Sequence, residues 1–160
     1  MAGLRVLVVE PGHDLGGAQL YVLRLAPLLR ERGIEQILAA PAGSELARAW
    51  RAEGREHVSL ETPTDRSIRR ANGRLDPLGA LREAGRTLSS ARRIAALARQ
   101  TGANVLHANG HWTHLEVAAA ARICRRPAVL HLHEQSQNDT LGRLRALGVW
   151  SAAATVSVSN

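Results

Sequence analysis

Two kinds of hydrophobic block take turns along the chain. Short runs such as "LRVLVVE" (4–10), "IEQILAAP" (34–41) and "ANVLHAN" (103–109) are nearly continuous in apolar residues, the pattern of strands covered on both faces. "EHVSLE" (56–61), "PAVLHLH" (127–133) and "AATVSVS" (153–159) bring the set to six. Between them, apolar residues recur at helical spacing. From Gly17 to Arg32 they fall at Leu20, Leu23, Ala26 or Pro27, and then Leu28 and Leu29, with Gly33 as C-cap. Pro27 lies inside that pattern and predicts a kink or broken turn, because it has no N–H for the helical ladder. "SELARAWRAEG" (44–54) predicts a helix capped by Ser44 and ended by Gly54. A long helix is expected from Pro77, with Asp76 as N-cap, to about Gln100. Others are expected from about Thr113 to Cys124 and near Leu141 to Leu147. Residues 62–76, with Pro63, Gly73 and no period, read as a loop.

Strands alternating with helices imply an α/β fold: a Rossmann-like parallel sheet wound by right-handed crossovers. In the strand order 3-2-1-4-5-6, strands one and four lie side by side at the switch point, and ligands bind outside their carboxyl ends. That places "EPGHDLGGAQ" (10–19) across one crevice from "HANGHWTH" (107–114), with "HLHEQSQND" (131–139) next to them.

Composition narrows the class. The 160 residues are 45% hydrophobic and 22% charged, which suits one folded domain. No apolar run is long enough to span a bilayer, and the N-terminus lacks the pattern of a signal peptide. The single cysteine, Cys124, has no partner for an internal disulfide, so a reducing cytoplasm is expected, and packing on its helix is its simplest role. The net charge of +7, carried by arginine without any lysine, favours anionic partners. Aromatic residues are only 2%, too few for stacking platforms, which argues against nucleic acid.

The opening turn fits neither familiar nucleotide motif. Gly12 and Gly17 have the spacing of a Walker loop, but Ala18 and Gln19 follow where Lys and Ser/Thr are needed. Gly12, Gly16 and Gly17 are wrongly spaced for a dinucleotide fingerprint, and strand two ends in "AAPAG" without an acid. Two readings of Gly16 and Gly17 remain. Either they permit a tight turn with positive φ, or they let a ligand reach backbone N–H groups at a helix N-terminus, where the dipole favours negative charge.

Histidines cluster at 107, 111 and 114 and at 131 and 133. Zinc is not expected, since no cysteine pair supports them and Glu134 completes no metallohydrolase pattern; hydrogen bonding to substrate or loop packing fits better. His107 and His131 fall within strands, where core packing also accounts for them. Arg66, Arg69, Arg70 and Arg74 crowd the loop after strand three, and Arg82, Arg86 and Arg93 share a face of the long helix. These arginines read either as a surface for an anionic acceptor or membrane, or as a solvated polar face.

"GGAQLYVLRLAPLLRERG" (16–33) resembles the Gly-Gly loop and first helix of glycosyltransferase family 4, enzymes of the GT-B fold. "ANVLHANGHWTHLEVAAAARICRRPAVLHLHE" (103–134) resembles that family's strand, His-x-His or His-x-Asn, helix, strand and His-Asp/Glu segment. "ATVSVSN" (154–160) resembles the strand and serine that close its N-terminal domain. The resemblance implies the N-terminal, acceptor-binding half of a retaining GT-B glycosyltransferase, without a cofactor. A nucleotide-sugar donor would be held largely by a C-terminal domain, and the acceptor would be a sugar, lipid-linked or phosphorylated molecule. It further implies that Gly16 and Gly17 lie close to the donor diphosphate and acceptor, while Asn109, His111 and Glu134 line the acceptor side. Asn109 stands where several members carry a histidine that contacts the reacting sugar, and an asparagine cannot move a proton. The arginine loop would suit an anionic acceptor, with the enzyme cytoplasmic or peripheral at the inner membrane face. The family's Glu-x(7)-Glu motif belongs to the second domain, so the isolated chain is expected not to transfer sugar. The alternative is a stand-alone Rossmann-like module that binds a nucleotide or phosphorylated metabolite without chemistry.

Overall fold

A computed structural model describes residues 3–62, 76–132 and 152–157. Its elements run β1 (Leu4–Val9), α1 (Gly17–Glu31), β2 (Ile34–Ala40), α2 (Glu45–Ala52), β3 (His57–Ser59), α3 (Pro77–Gln100), β4 (Val105–Ala108), a 3-10 turn (His111–Thr113), α4 (His114–Cys124), β5 (Ala128–Leu132) and β6 (Ala154–Ser157). The described strands form one parallel sheet in the order β3-β2-β1-β4-β5-β6. The expected class and strand order are therefore those observed. The expected helix near Leu141 to Leu147 lies outside the described residues.

β1 is apolar throughout its buried length because both of its faces are covered. Leu7 and Val9 join Ile37, Ala39, Leu106 and Leu130 against α3 and α4, which contribute Ile94, Ala95, Ala98, Val117 and Ala121. Val6 and Val8 point the other way, joining Leu38 and Ala40 against Val22 and Ala26 of α1 and Leu46 and Trp50 of α2. With no phenylalanine in the chain, much of the helical side of this core is alanine, which lets helix and sheet approach closely.

Local signals behave as their chemistry requires. Ser44 Oγ accepts from the Ala47 N–H at 3.1 Å, and Gly33, Gly54 and Gly102 take positive φ at the ends of α1, α2 and α3. Asp76 stands at the N-cap of α3, though its carboxylate makes no capping bond there. The expected start of α4 at Thr113 shifts by one residue, because 110–113 form a tighter turn: both the N–H and Oγ1 of Thr113 bond the Gly110 carbonyl.

Pro27 corrects the expectation of a broken turn: α1 runs through it without interruption. The proline withholds the N–H that would reach the Leu23 carbonyl four residues earlier. Arg55 Nη1 donates to that carbonyl instead, at 3.4 Å. The guanidinium is itself held, stacked 4.9 Å over the Trp50 ring and ion-paired with Glu53. A side chain from beyond α2 thus replaces the missing backbone donor. Pro27 is exposed, so Pro27→Ala restores the ladder without opening a cavity, and urea unfolding should show a gain of about 1 kcal/mol or more. An unchanged or lower midpoint would mean that Arg55 already compensates in full.

Candidate functional site

β1 and β4 are neighbours, and their carboxyl ends open into the crevice. Glu10, directly after β1, organises it. The residue is only 3% exposed; Oε1 accepts from the Gly12 N–H at 2.9 Å and Oε2 from Asn109 Nδ2 at 2.6 Å. Asn109, directly after β4, is fully buried and also donates to the Ala18 carbonyl in the first turn of α1, at 3.2 Å. Its backbone N–H bonds the Val9 carbonyl. One carboxylate and one amide therefore tie together the tips of two strands and the start of a helix.

The glycine turn is held from a second side. The Leu15 N–H donates to Glu45 Oε2 at 3.2 Å, and the Glu45 N–H to the His13 carbonyl at 2.9 Å, so the loop leans on the start of α2. Gly16 is the N-cap of α1, with φ −94° and ψ −171°, and neither it nor Gly17 is among the residues with positive φ. The tight-turn explanation of the double glycine is thereby removed. The Gly16 N–H is covered by Gln19 Oε1 at 3.1 Å, and a Cβ on Gly16 would lie 3.1 Å from that oxygen. A Cβ on Gly17 would meet nothing within 4 Å. The fold does not need Gly17 to be bare, and the space in front of it is open. The first-turn N–H groups of a helix have no intrahelical acceptor, so this opening faces a partial positive charge.

The loop after β4 supplies the opposite wall. His111 opens the 3-10 turn, and Trp112 is exposed beside it. Beneath them lies a packed histidine layer. His114 Nε2 is 3.0 Å from the His131 carbonyl oxygen, the His107 and His131 rings stack with centroids 5.8 Å apart, and Tyr21 of α1 meets His131 edge-on at 4.9 Å. All three histidines are at most 7% exposed. Among the described residues no three His, Cys, Asp or Glu side chains form a metal-binding group.

The structure therefore brings Gly16, Gly17, Asn109 and the backbone of His111 to one edge. Asn109 lies beneath the surface there, with its amide donating to Glu10 and Ala18. Glu134 and Arg66, Arg69, Arg70 and Arg74 lie outside the described residues. Sequence reasoning passed over Glu10, treating it as the end of a strand. Its signal was an acid closing an otherwise apolar run, two residues before Gly12, where a carboxylate can collect loop amides.

The sequence model of Glycosyltransferase Family 4 matches residues 15–160. The chain belongs to glycosyltransferase family 4. No curated protein matches it in sequence. Among solved structures, a glycosyltransferase from Rickettsia africae superposes with a TM-score of 0.72 at 14% identity, over 100% of this chain and 38% of its own. Anabaena HepE, solved in complex with UDP and glucose, gives 0.68 at 17% identity, over 98% and 38%. Acinetobacter baumannii MurG gives 0.67 at 14% identity, over 98% and 42%. These likenesses establish a shared fold, with the family 4 chain standing as an N-terminal-type GT-B domain. It spans about two-fifths of the length of these structures.

In this family 4 domain the Glu10–Asn109 contact is short, buried and charge-assisted, so it should be energetically coupled. Truncating Asn109 leaves a buried carboxylate with one donor fewer. A double-mutant cycle of Glu10→Ala and Asn109→Ala in denaturant should give a coupling energy of about 1–3 kcal/mol. A coupling near zero would mean that each residue is held independently by its backbone.

Proposed function

We propose that the chain is the acceptor-binding half of a retaining glycosyltransferase, which moves a sugar from a nucleotide-sugar donor to a glycan, lipid-linked or small-molecule acceptor. The observation that carries this reading is Gly17: unstrained, exposed, at a helix N-terminus, with open space where a side chain would stand. A glycine that the chain's own packing does not require is explained by something outside the chain that must come close. The amides of the first turn then meet phosphate or sugar oxygens. Gln19, whose carbonyl oxygen covers the Gly16 N–H, is the side chain that a ligand displaces to reach that amide.

Family membership supports the reaction class, and the bound UDP and glucose in HepE support a sugar nucleotide as the donor. In this reading a C-terminal domain holds most of the donor, and the reaction takes place between the two. His111 and Glu134 orient the acceptor, and Asn109 acts from beneath, by holding Glu10 and the α1 turn in place. Arg66, Arg69, Arg70 and Arg74 receive an anionic part of the acceptor or a membrane surface. Retaining transfer asks little of a protein base, so these residues bind and position rather than move protons. Among the described residues no helix is long and apolar enough to cross a membrane.

Gly17→Val in the complete enzyme tests the reading. The new side chain enters open space, so the thermal midpoint should stay within about 2 °C. Transfer should fall by about a hundredfold or more, the scale of losing preorganised amide donors. Wild-type turnover by a stably folded variant would remove the glycine turn from the mechanism.

A further inference from the structure

At the end of the sheet away from the crevice, a cavity of about 300 Å³ lies where α1 and α2 end and β2 begins. Ala26 and Arg30 line it from α1, Ile34 and Gln36 from β2, and Arg55 from the segment after α2. Gln36 is the unusual member. Side chains alternate along β2, so Gln36 shares its face with Leu38 and Ala40, which pack under α1 and α2. The residue is only 7% exposed, yet its Oε1 is buried without a hydrogen-bond partner. A buried amide in that state weakens the fold, and a leucine in its place would pack without that cost. The chain's own packing therefore gives no reason for an amide here.

The charges in the lining are unequally matched. Glu35 and Glu56 direct their carboxylates to Arg5 of β1, at 2.9 and 2.7 Å. Arg5 and Glu35 are register partners on the face of Leu7 and Ile37, the side of the sheet opposite Gln36. Arg55 is fixed by the Trp50 ring, Glu53 and the Leu23 carbonyl. Arg30, exposed in the last turn of α1, has no ion pair or side-chain hydrogen bond among the described residues. The cavity thus combines apolar walls at Ala26 and Ile34, an amide without a partner and one guanidinium that no carboxylate neutralises.

We infer that this cavity binds a nucleoside monophosphate. A planar base lies between the apolar walls and pairs its edge with the Gln36 amide. That amide offers a donor and an acceptor side by side, the geometry by which glutamine reads adenine. Its terminal torsion is soft, so a small rotation brings Oε1 to the cavity surface. The phosphate meets Arg30, whose planar fork matches phosphate oxygens in pairs. Ligand pockets run from roughly 300 to 1,000 Å³, so this one suits a single nucleotide and no larger conjugate. Other occupants match the lining less well. An amino acid would bring its ammonium group toward two arginines, and a sugar phosphate would set hydroxyls against Ala26 and Ile34. The site rests on these residues and not on the transferase reading, since the crevice lies at the other end of β2, roughly 20 Å away.

The test is a titration of the isotope-labelled protein with adenosine monophosphate, read by amide NMR. Saturable shifts should fall at Gly33, Gly54 and the Gln36 side-chain amide. Adenosine and ribose phosphate should each bind about tenfold more weakly or worse, since each lacks one half of the recognition. Gln36→Leu and Arg30→Gln should each weaken binding by about tenfold. Gln36→Leu should also raise the thermal midpoint by about 2 °C or more, because it removes the buried amide. Absence of saturable shifts at Gly33 and Gly54 would overturn the inference, as would shifts confined to Gly16 and Gly17, the mark of binding in the crevice. Inorganic phosphate binding as tightly as the nucleotide would overturn it too, leaving only a cationic surface. A lower midpoint for Gln36→Leu would do the same, since the amide would then have a partner within the fold. Gly17→Val should bind adenosine monophosphate at this cavity as wild type does, so failure of the transferase reading is seen separately.

Discussion

The Glu10 carboxylate is the constraint on which the crevice depends. Parallel strands end without a turn to join them, so the tips of β1 and β4 are linked only by their ladder and by contacts between the loops that leave them. Here a nearly buried carboxylate collects one backbone amide from its own loop and one side-chain amide from the neighbouring strand's end. Burial makes this arrangement demanding, since a carboxylate removed from water must find donors of its own. The same Asn109 amide that serves Glu10 also reaches the first turn of α1. Strand spacing and helix placement at the crevice are consequently one structural fact.

That arrangement explains how the double glycine can stay bare. A flexible glycine loop would have no fixed amides to offer a ligand. This loop is fastened at Gly12 by Glu10, at Leu15 by Glu45, and at His13 by the Glu45 backbone. Donors fixed in advance need little reorganisation when negative charge arrives, the condition under which they contribute most to binding or to a transition state.

The fold was readable because it arises from local chemistry. Apolar runs, Ser44 and the glycines closing α1, α2 and α3 place the elements within a residue or two, and their alternation fixes the parallel sheet. What was not readable depends on contacts distant in sequence. The continuity of α1 at Pro27 needs Arg55, which no local pattern connects to it. The buried role of Asn109 needs Glu10, ninety-nine residues away. The resemblance sets Asn109 on the acceptor side, and nothing in its own loop signals the buried carboxylate that it serves.

The place of β1 in the sheet bears on how the chain comes into being. β1 precedes both of its partners in the chain, yet it lies between β2 and β4. It can pair with Ile34–Ala40 soon after synthesis begins, but its other edge must wait for Val105–Ala108. For most of the time this domain takes to leave the ribosome, its central strand carries an open, apolar edge. α1 and α2 can cover one face early through Val22, Leu46 and Trp50, while the opposite face stays uncovered until α3 arrives. The interval between residues 40 and 105 is when this chain is most exposed to wrong strand pairing, well before the crevice exists.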